Sequence, residues 1–270
     1  MGIYRGKFPV MLTFDVDGET VWLNRDPHNA GRPVVMSQGR YGPTVGVPRL
    51  LRLLARHGIQ ATFFVPGWIA EKYPDVLRAI DGEGHEVGHH GYLHEWPTRL
   101  TPEQEATAMR RGLDAIEKVL RGRPLGYRAP GWEVSGRTLS LLVEHGFRYS
   151  SNMMDADGPY LHTVDSKPTR LVELPVEWGL SDSSYYMYGL QLPNPRLMPN
   201  STVFEQWTTS FDALADEGEC FVLTLHPQLT GRPHRTALLE RFIAHVRNTP
   251  HTVFARCIDV ADAVLKAARR

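Results

Sequence analysis

The chain has 270 residues, 42% of them apolar, with 30 Lys plus Arg balanced by 30 Asp plus Glu. Zero net charge gives no basis for nucleic acid or an anionic membrane as partner, and no apolar run approaches the roughly 20 residues that span a bilayer. Twelve histidines direct attention to metal or acid–base chemistry instead.

The N-terminal stretch MGIYRGKFPVMLTF has no long apolar segment leading to a small-residue cleavage site, so a cytoplasmic protein is expected. Val10–Phe14 reads as a strand. Val47–His57 has helical spacing and a glycine stop at Gly58. Ile59–Val65 is a strand, Ile69–Ile80 a helix, and His85–Val87 opens another strand. Thr101 begins a helix to about Leu120, with Thr-Pro-Glu-Gln as its capping pattern. A strand ends at LGYRAP, Gly136–His145 is helical, and FRYSSN and RLVELPV are strands. Helix Val203–Glu217, strand CFVLTLHP, helix His234–Arg247, strand HTVFA and a last helix to Arg270 complete the order. This alternation predicts a parallel sheet, as a barrel or a doubly wound sheet, in one domain spanning 1–270. Three stretches, Val21–Thr44, Ala156–Thr169 and Gly179–Asn200, fit no regular element and read as long functional loops. The last holds Tyr185, Tyr186 and Tyr188, suited to a lid or a subunit contact. Cys220 and Cys257 sit in apolar, strand-like runs and read as buried free thiols.

Polar residues gather where apolar strands stop: Asp15 and Asp17 after VMLTF, His89, His90 and His94 after GHEVG, Arg128 after LGY, and His226 after FVLTL. Ligands of parallel α/β folds bind at the carboxyl ends of strands, so these groups are expected in one region. His90 and His94 are four apart, the spacing of two imidazoles on one side of a helical turn. With Asp17 they make a His₂–carboxylate set that suits a divalent ion such as zinc; surface histidines on a helix are the other reading. His89 reads as a neighbour rather than a ligand. In extended chain, residues i and i+2 share a face, so Asp15 joins Asp17 at one site. Two such carboxylates repel unless cations neutralise them, which a metal on Asp17 and the Arg128 guanidinium near Asp15 would do. His226, taken alone, is an ordinary half-buried residue; across a metal site from a carboxylate base it becomes a candidate general acid.

Four ordered motifs have now accumulated: TFDVDGE, HHGYLH, YRAPGW and FVLTLHP. Together they resemble the polysaccharide deacetylase family, the NodB-homology amide hydrolases, from about Leu12 to His226. The resemblance implies an α/β fold, a distorted (β/α) barrel, forming one catalytic domain. It implies hydrolysis of acetamido and related non-peptide C–N bonds with a divalent metal, usually zinc. Carried over by motif, Asp15 is the base, Asp17, His90 and His94 are the metal ligands, Arg128 orients Asp15, Pro130 shapes the groove wall and His226 is the acid. Trp132 and Trp178 are candidate pocket walls or plain core aromatics. Glu19 is structural or at the rim.

The departures narrow this. Val16 separates aspartates that are adjacent in the common family motif. The D-x-D form resembles a branch with intracellular peptidoglycan-deacetylase-like proteins, cyclic imide hydrolases and metal-independent allantoinases. FFVPGWIAEKYP, LVELPVEW and HPQLTGRPHR carry further marks of it. The branch pattern expects an aspartate where Ser150 stands. The implied reaction is attack of a metal-activated water on a small amide, imide or N-acetylated sugar, with a backbone N–H near Gly131 stabilising the oxyanion. The branch also implies a homo-oligomer, a tetramer for example. The alternatives are a metal-independent allantoinase-like or cyclic imide hydrolase, and a barrel that binds glycan without turnover.

Overall fold

The structure is a computed structural model and describes residues 4, 6–120, 122–189, 192, 197–217 and 219–268. Strand β1, Phe8–Asp15, is buried along its whole length. Strict alternation explains this: Val10, Leu12 and Phe14 enter the main core beneath the helices, while Met11 packs on the other face with Phe64, Tyr149 and Val222. Around it stand β2 (Thr62–Val65), β3 (Glu86–His89), β4 (Gly126–Tyr127), β5 (Tyr149–Ser150), β6 (Tyr160–Val164), β7 (Lys167–Glu173), β8 (Phe221–Leu225) and β9 (Thr252–Phe254). Among the described residues the sheet order is β6-β7-β5-β4-β3-β2-β1-β8, with β9 also on β1. Every pair is parallel except the β6–β7 hairpin. The sheet curls into a half-open barrel, the distorted (β/α) form expected from the motifs. Parallel strands place their carboxyl ends, and hence Asp15, His89, Tyr127, Ser150, Glu173 and Leu225, at one rim.

The helices are α1 (Thr20–Leu23), α2 (Pro33–Tyr41), α3 (Val47–Arg56), α4 (Gly67–Lys72), α5 (Pro74–Gly82), α6 (Pro102–Val119), α7 (Thr138–Glu144), α8 (Ser183–Tyr186), α9 (Asn200–Glu217), α10 (Pro233–Asn248) and α11 (Cys257–Ala267). α6 has the expected capping box: Thr101 Oγ1 accepts from the Gln104 N–H at 3.3 Å and Gln104 Oε1 accepts from the Thr101 N–H at 2.9 Å. Cys220 and Cys257 are buried free thiols.

Four expectations need correction. Val21–Thr44 is not a loop: it holds the end of α1, a 3₁₀ turn at Pro27–Gly31, all of α2 and most of a π turn. Its glycines and prolines cap and join short helices instead of breaking them. Ala156–Thr169 holds a hairpin, because Asp165 (φ 49°) and Ser166 (φ 60°) both adopt the left-handed region of a two-residue turn. The helix expected over Ile69–Ile80 is two helices, split at Tyr73 because Pro74 disfavours the helical conformation before it. In Gly179–Asn200, Tyr186 is 2% exposed in the main core and donates to Asn200 Oδ1 at 2.7 Å, so it is no lid residue. Tyr188 is exposed, and residues 190, 191 and 193–196 lie outside the described set.

Gly126 marks the tightest approach in the sheet: a Cβ there would stand 1.9 Å from Tyr149 Cζ, inside a buried aromatic held by Glu86. Gly126→Ala is expected to destabilise the fold by at least about 1–3 kcal/mol. Gly136→Ala, where a Cβ meets nothing within 4 Å, should be near neutral. Urea unfolding of the two variants checks this.

Candidate active site

β1 delivers its carboxylates by register. Val16 is fully buried in the main core, so Asp15 and Asp17 on either side of it turn to the opposite face. The Val16 N–H bonds Phe64 O at 2.9 Å, prolonging the strand past Asp15, and Thr20 then bonds Asp17 O through its N–H and hydroxyl. Asp15 is 3% exposed and Asp17 1%.

His90 and His94 are not on a helix. After β3 the chain turns at Gly91 (φ 73°), and Glu95 accepts the N–H groups of Tyr92 and Leu93 at 3.1 and 2.8 Å. His94 itself has φ 60°. This carboxylate-closed loop brings the two imidazoles to a ring distance of 5.3 Å. His90 Nδ1 donates to Arg128 O at 2.7 Å, which leaves Nε2 facing Asp17 Oδ1 at 3.4 Å. His94 Nε2 stands 3.6 Å from Asp17 Oδ2. His89 is fully buried elsewhere: its Nε2 meets Met109 O at 3.0 Å and its Nδ1 accepts from the Gly91 N–H, so it shapes the turn.

Asp17, His90 and His94 have ligand atoms all within 4.8 Å of one another. Ligand atoms about 2.0–2.2 Å from a tetrahedral ion stand about 3.4 Å apart, close to the 3.4 and 3.6 Å that separate Asp17 from His90 and His94. Among the described residues, Asp17 Oδ1 and His94 Nδ1 are buried without a hydrogen-bond partner. Burial works against the Asp17 charge, but His94, His226 and His90 more than offset it and hold the carboxyl well below its usual range. Burial pushes His94 down to about 4, only partly opposed by Asp17. A carboxylate beside a neutral imidazole is the protonation pattern that metal ligation requires, so the donor set fits a divalent ion.

Two further pairs flank this set. Arg128, fully buried, donates from Nη1 to Asp15 Oδ1 at 3.0 Å and Thr13 Oγ1 at 2.7 Å, and from Nη2 to Ser151 Oγ at 2.9 Å. Its guanidinium lies over the Phe64 ring at 4.3 Å. His226 Nε2 stands 3.6 Å from Asp17 Oδ2 and 4.0 Å from Asp15 Oδ2, which places both aspartates around one imidazole. Its Nδ1 is bonded by Asp182 Oδ1 at 2.6 Å, and Asp182 Oδ2 accepts from the His226 N–H and the Thr230 hydroxyl. Burial pushes His226 down, but Asp182 and then Asp17 more than offset this and raise it to about 9.

Sequence reasoning missed Asp182, Gln228 and Ser151. Asp182 lies in the polar run SDSS of an expected loop, and only the Ser181–Thr224 bridge beside β8 puts it under His226. Gln228, two residues after His226, donates to Asp17 Oδ2 at 3.4 Å. Pro130 is buried, one residue beyond Ala129, whose N–H is bonded by Asn152. Trp132 is buried in the second core cluster, with Trp178 half exposed against it at a ring distance of 4.5 Å. Glu19 is buried away from the ligand set, bonded by Lys72 and Tyr73 at 2.9 and 2.6 Å, and pins the loop after Asp17.

The family model described as polysaccharide deacetylase matches residues 28–150. A peptidoglycan deacetylase of Helicobacter pylori is 31% identical, covering 93% of this chain and 94% of that protein. The chain belongs to the polysaccharide deacetylase family. A solved structure from Mycobacterium smegmatis, described provisionally as a polysaccharide deacetylase, is 41% identical with TM-score 0.93, covering 98% of this chain and 92% of that one. The Puue allantoinase is 25% identical with TM-score 0.82, covering 97% of this chain and 91% of that one. The deacetylase family model starts beyond Asp15 and Asp17 and stops short of His226, so those residues are reached only by the full-length likenesses. Among the described residues, no helix is long and apolar enough to cross a membrane.

Because Asp182 is the largest influence raising His226, Asp182→Asn should lower the midpoint of His226 by about one pH unit or more in metal-free protein. The sign follows from linkage: a raised folded value gives stability that is complete below the ordinary value of 6.5 and is lost as pH rises through about 9. The variant should lack that loss. NMR titration of the imidazole and unfolding between these pH values are the measurements; an unmoved midpoint would show that Asp182 does not govern His226.

Proposed function

We propose that this deacetylase-family chain is a divalent-metal-dependent hydrolase of non-peptide C–N bonds, with zinc as the ion and a small amide, imide or N-acetylated sugar as substrate. The observation that carries this is the buried Asp17–His90–His94 set, with Asp17 Oδ1 left without a hydrogen bond among the described residues, facing the Asp15–Arg128 and His226–Asp182 pairs.

Asp17, His90 and His94 would hold the ion, which would supply Lewis acidity at the scissile carbonyl. Asp15, with Oδ1 occupied by Arg128, has Oδ2 left to take a proton from the attacking water. The charge-assisted bond from Arg128 fixes the carboxylate's orientation and keeps it compatible with nearby Asp17. His226, held protonated by Asp182, carries the proton for the departing nitrogen on Nε2, the atom nearest both aspartates. The Gly131 N–H, on the turn that follows Arg128, is the proposed donor to the tetrahedral oxyanion.

The substrate reading is supported by enclosure. Asp15, Asp17, His90, His94 and His226 are each less than a tenth exposed, so a small acyl group or ring reaches them more readily than the face of a polymer. Likeness to the allantoinase favours the second reading, a ureide hydrolase that works without metal. The intact Asp17–His90–His94 set is the reason to rank it second.

After zinc reconstitution, elemental analysis should find about one ion per chain, lost in Asp17→Ala. Turnover of N-acetylglucosamine oligomers, allantoin and cyclic imides should then depend on that ion. Asp15→Asn and His226→Ala should keep the metal yet lower kcat by about 10²–10⁴-fold. Failure to take up zinc sinks the metal mechanism, and metal-free turnover of a ureide establishes the second reading.

A further inference from the structure

We propose that Glu173 is a positioning residue that sets the base side of this site, acting through the backbone of residues 151–153 and Arg128. It rests on the reading of Asp15 as the base.

Glu173 ends β7 and is fully buried. The β5–β7 register sets Ser150 opposite Glu173. β5 is only two residues long, and after the Ser151 N–H bonds Tyr127 O at 3.1 Å the ladder ends, so the N–H groups of Asn152 and Met153 need another acceptor. Glu173 Oε1 supplies it, accepting from the Asn152 N–H at 2.6 Å and the Met153 N–H at 2.9 Å, while Oε2 meets His162 Nε2 at 2.7 Å. Charged acceptors give short, strong bonds, and a buried N–H left unmade costs about 1–3 kcal/mol.

The segment so fixed holds the base side of the site. Ser151 receives Arg128 twice, through Oγ at 2.9 Å and through its carbonyl at 3.4 Å. Asn152 Oδ1 accepts the Ala129 N–H at 2.7 Å, and Asn152 Nδ2 donates to Ser150 Oγ at 2.9 Å. Ser150, standing where the family branch leads one to expect an aspartate, thus steadies Asn152. Arg128 in turn holds Asp15 through Nη1 and His90 through its carbonyl oxygen. One buried carboxylate therefore fixes the stretch from which the guanidinium on the base and the Ala129–Gly131 turn both hang. A displacement of about 1 Å at such a distance from the chemistry can cost 10²-fold in rate.

A merely structural role predicts lost stability and nothing specific at Arg128, so the test reads Arg128 directly. In Glu173→Ala, or in Glu173→Asp should the alanine variant not fold, the Arg128 Nε–H should exchange with solvent about tenfold faster by NMR. With the zinc-loaded enzyme, kcat should fall about tenfold or more while KM and metal content hold. Glu173→Gln keeps the Oε1 acceptor and should recover most of kcat. Adding Ser151→Ala to the Glu173 variant should cost less than the product of the two single effects. Glu105→Ala is the control: Glu105 is also buried, but it holds Thr138 and Ser135 outside this chain of bonds. Arg128 exchange unchanged from wild type, or a kcat loss no greater than in Glu105→Ala, overturns the proposal. If the wild-type enzyme turns over none of the amides, that failure belongs to the proposed function, and the exchange rate alone decides the role of Glu173.

Discussion

Two carboxylates at the end of one buried strand, Asp15 and Asp17, impose the main constraint on this molecule. Both are nearly inaccessible, and neither charge is tolerable there without compensation. The compensation is divided. Asp15 takes the fixed, permanent charge of Arg128, which is itself fully buried and spread over Thr13, Ser151 and the Phe64 face. Asp17 has no arginine or lysine in direct contact among the described residues and faces three imidazoles at 3.4–3.6 Å instead. That difference separates the proposed base, whose neighbour cannot lose its proton, from the proposed ligand, whose neighbours can give theirs up.

The imidazoles are divided in the same way. Burial drives His94 toward neutrality, while Asp182 holds His226 protonated across the neutral pH range. Identical side chains a few ångströms apart thus have opposite protonation preferences, one suited to ligating an ion and the other to giving up a proton. No residue type sets this difference; the placement of a single acid behind one ring does. The same logic extends outward, where Glu95 closes the turn that carries His94 and Glu173 anchors the chain that carries Arg128's acceptors.

Much of the fold was legible because its signals are local. The continuous apolar run of β1, the capping box of α6 and the glycine stop after α3 follow from composition and turn chemistry within a few residues. The hairpin at Tyr160–Glu173 escaped because Asp165–Ser166 lacks the glycine that usually announces such a turn. The helical content of Val21–Thr44 escaped because its helices are short and lack a clear apolar period, and its Gly and Pro serve as helix ends and close-packing points. Gly39, whose Cβ would strike Gly18 O, and Gly46, whose Cβ would strike Pro227, show that glycine is required by tertiary contact.

By itself the sequence determined which residues meet: Asp15, Asp17, His90, His94, Arg128 and His226 all follow apolar strands, and parallel strands share one carboxyl-end rim. Val16 determined that both aspartates face the same way, because an apolar residue between them must turn to the core. Only the tertiary structure decided their chemical character. It showed that His90 and His94 converge through a carboxylate-closed loop rather than a helical turn, that Asp182 stands under His226, and that Glu173 holds the backbone behind Arg128. Those contacts join residues distant in sequence, 44 positions apart for Asp182 and His226, and electrostatic influence depends on distance in space and on burial, neither of which local pattern encodes.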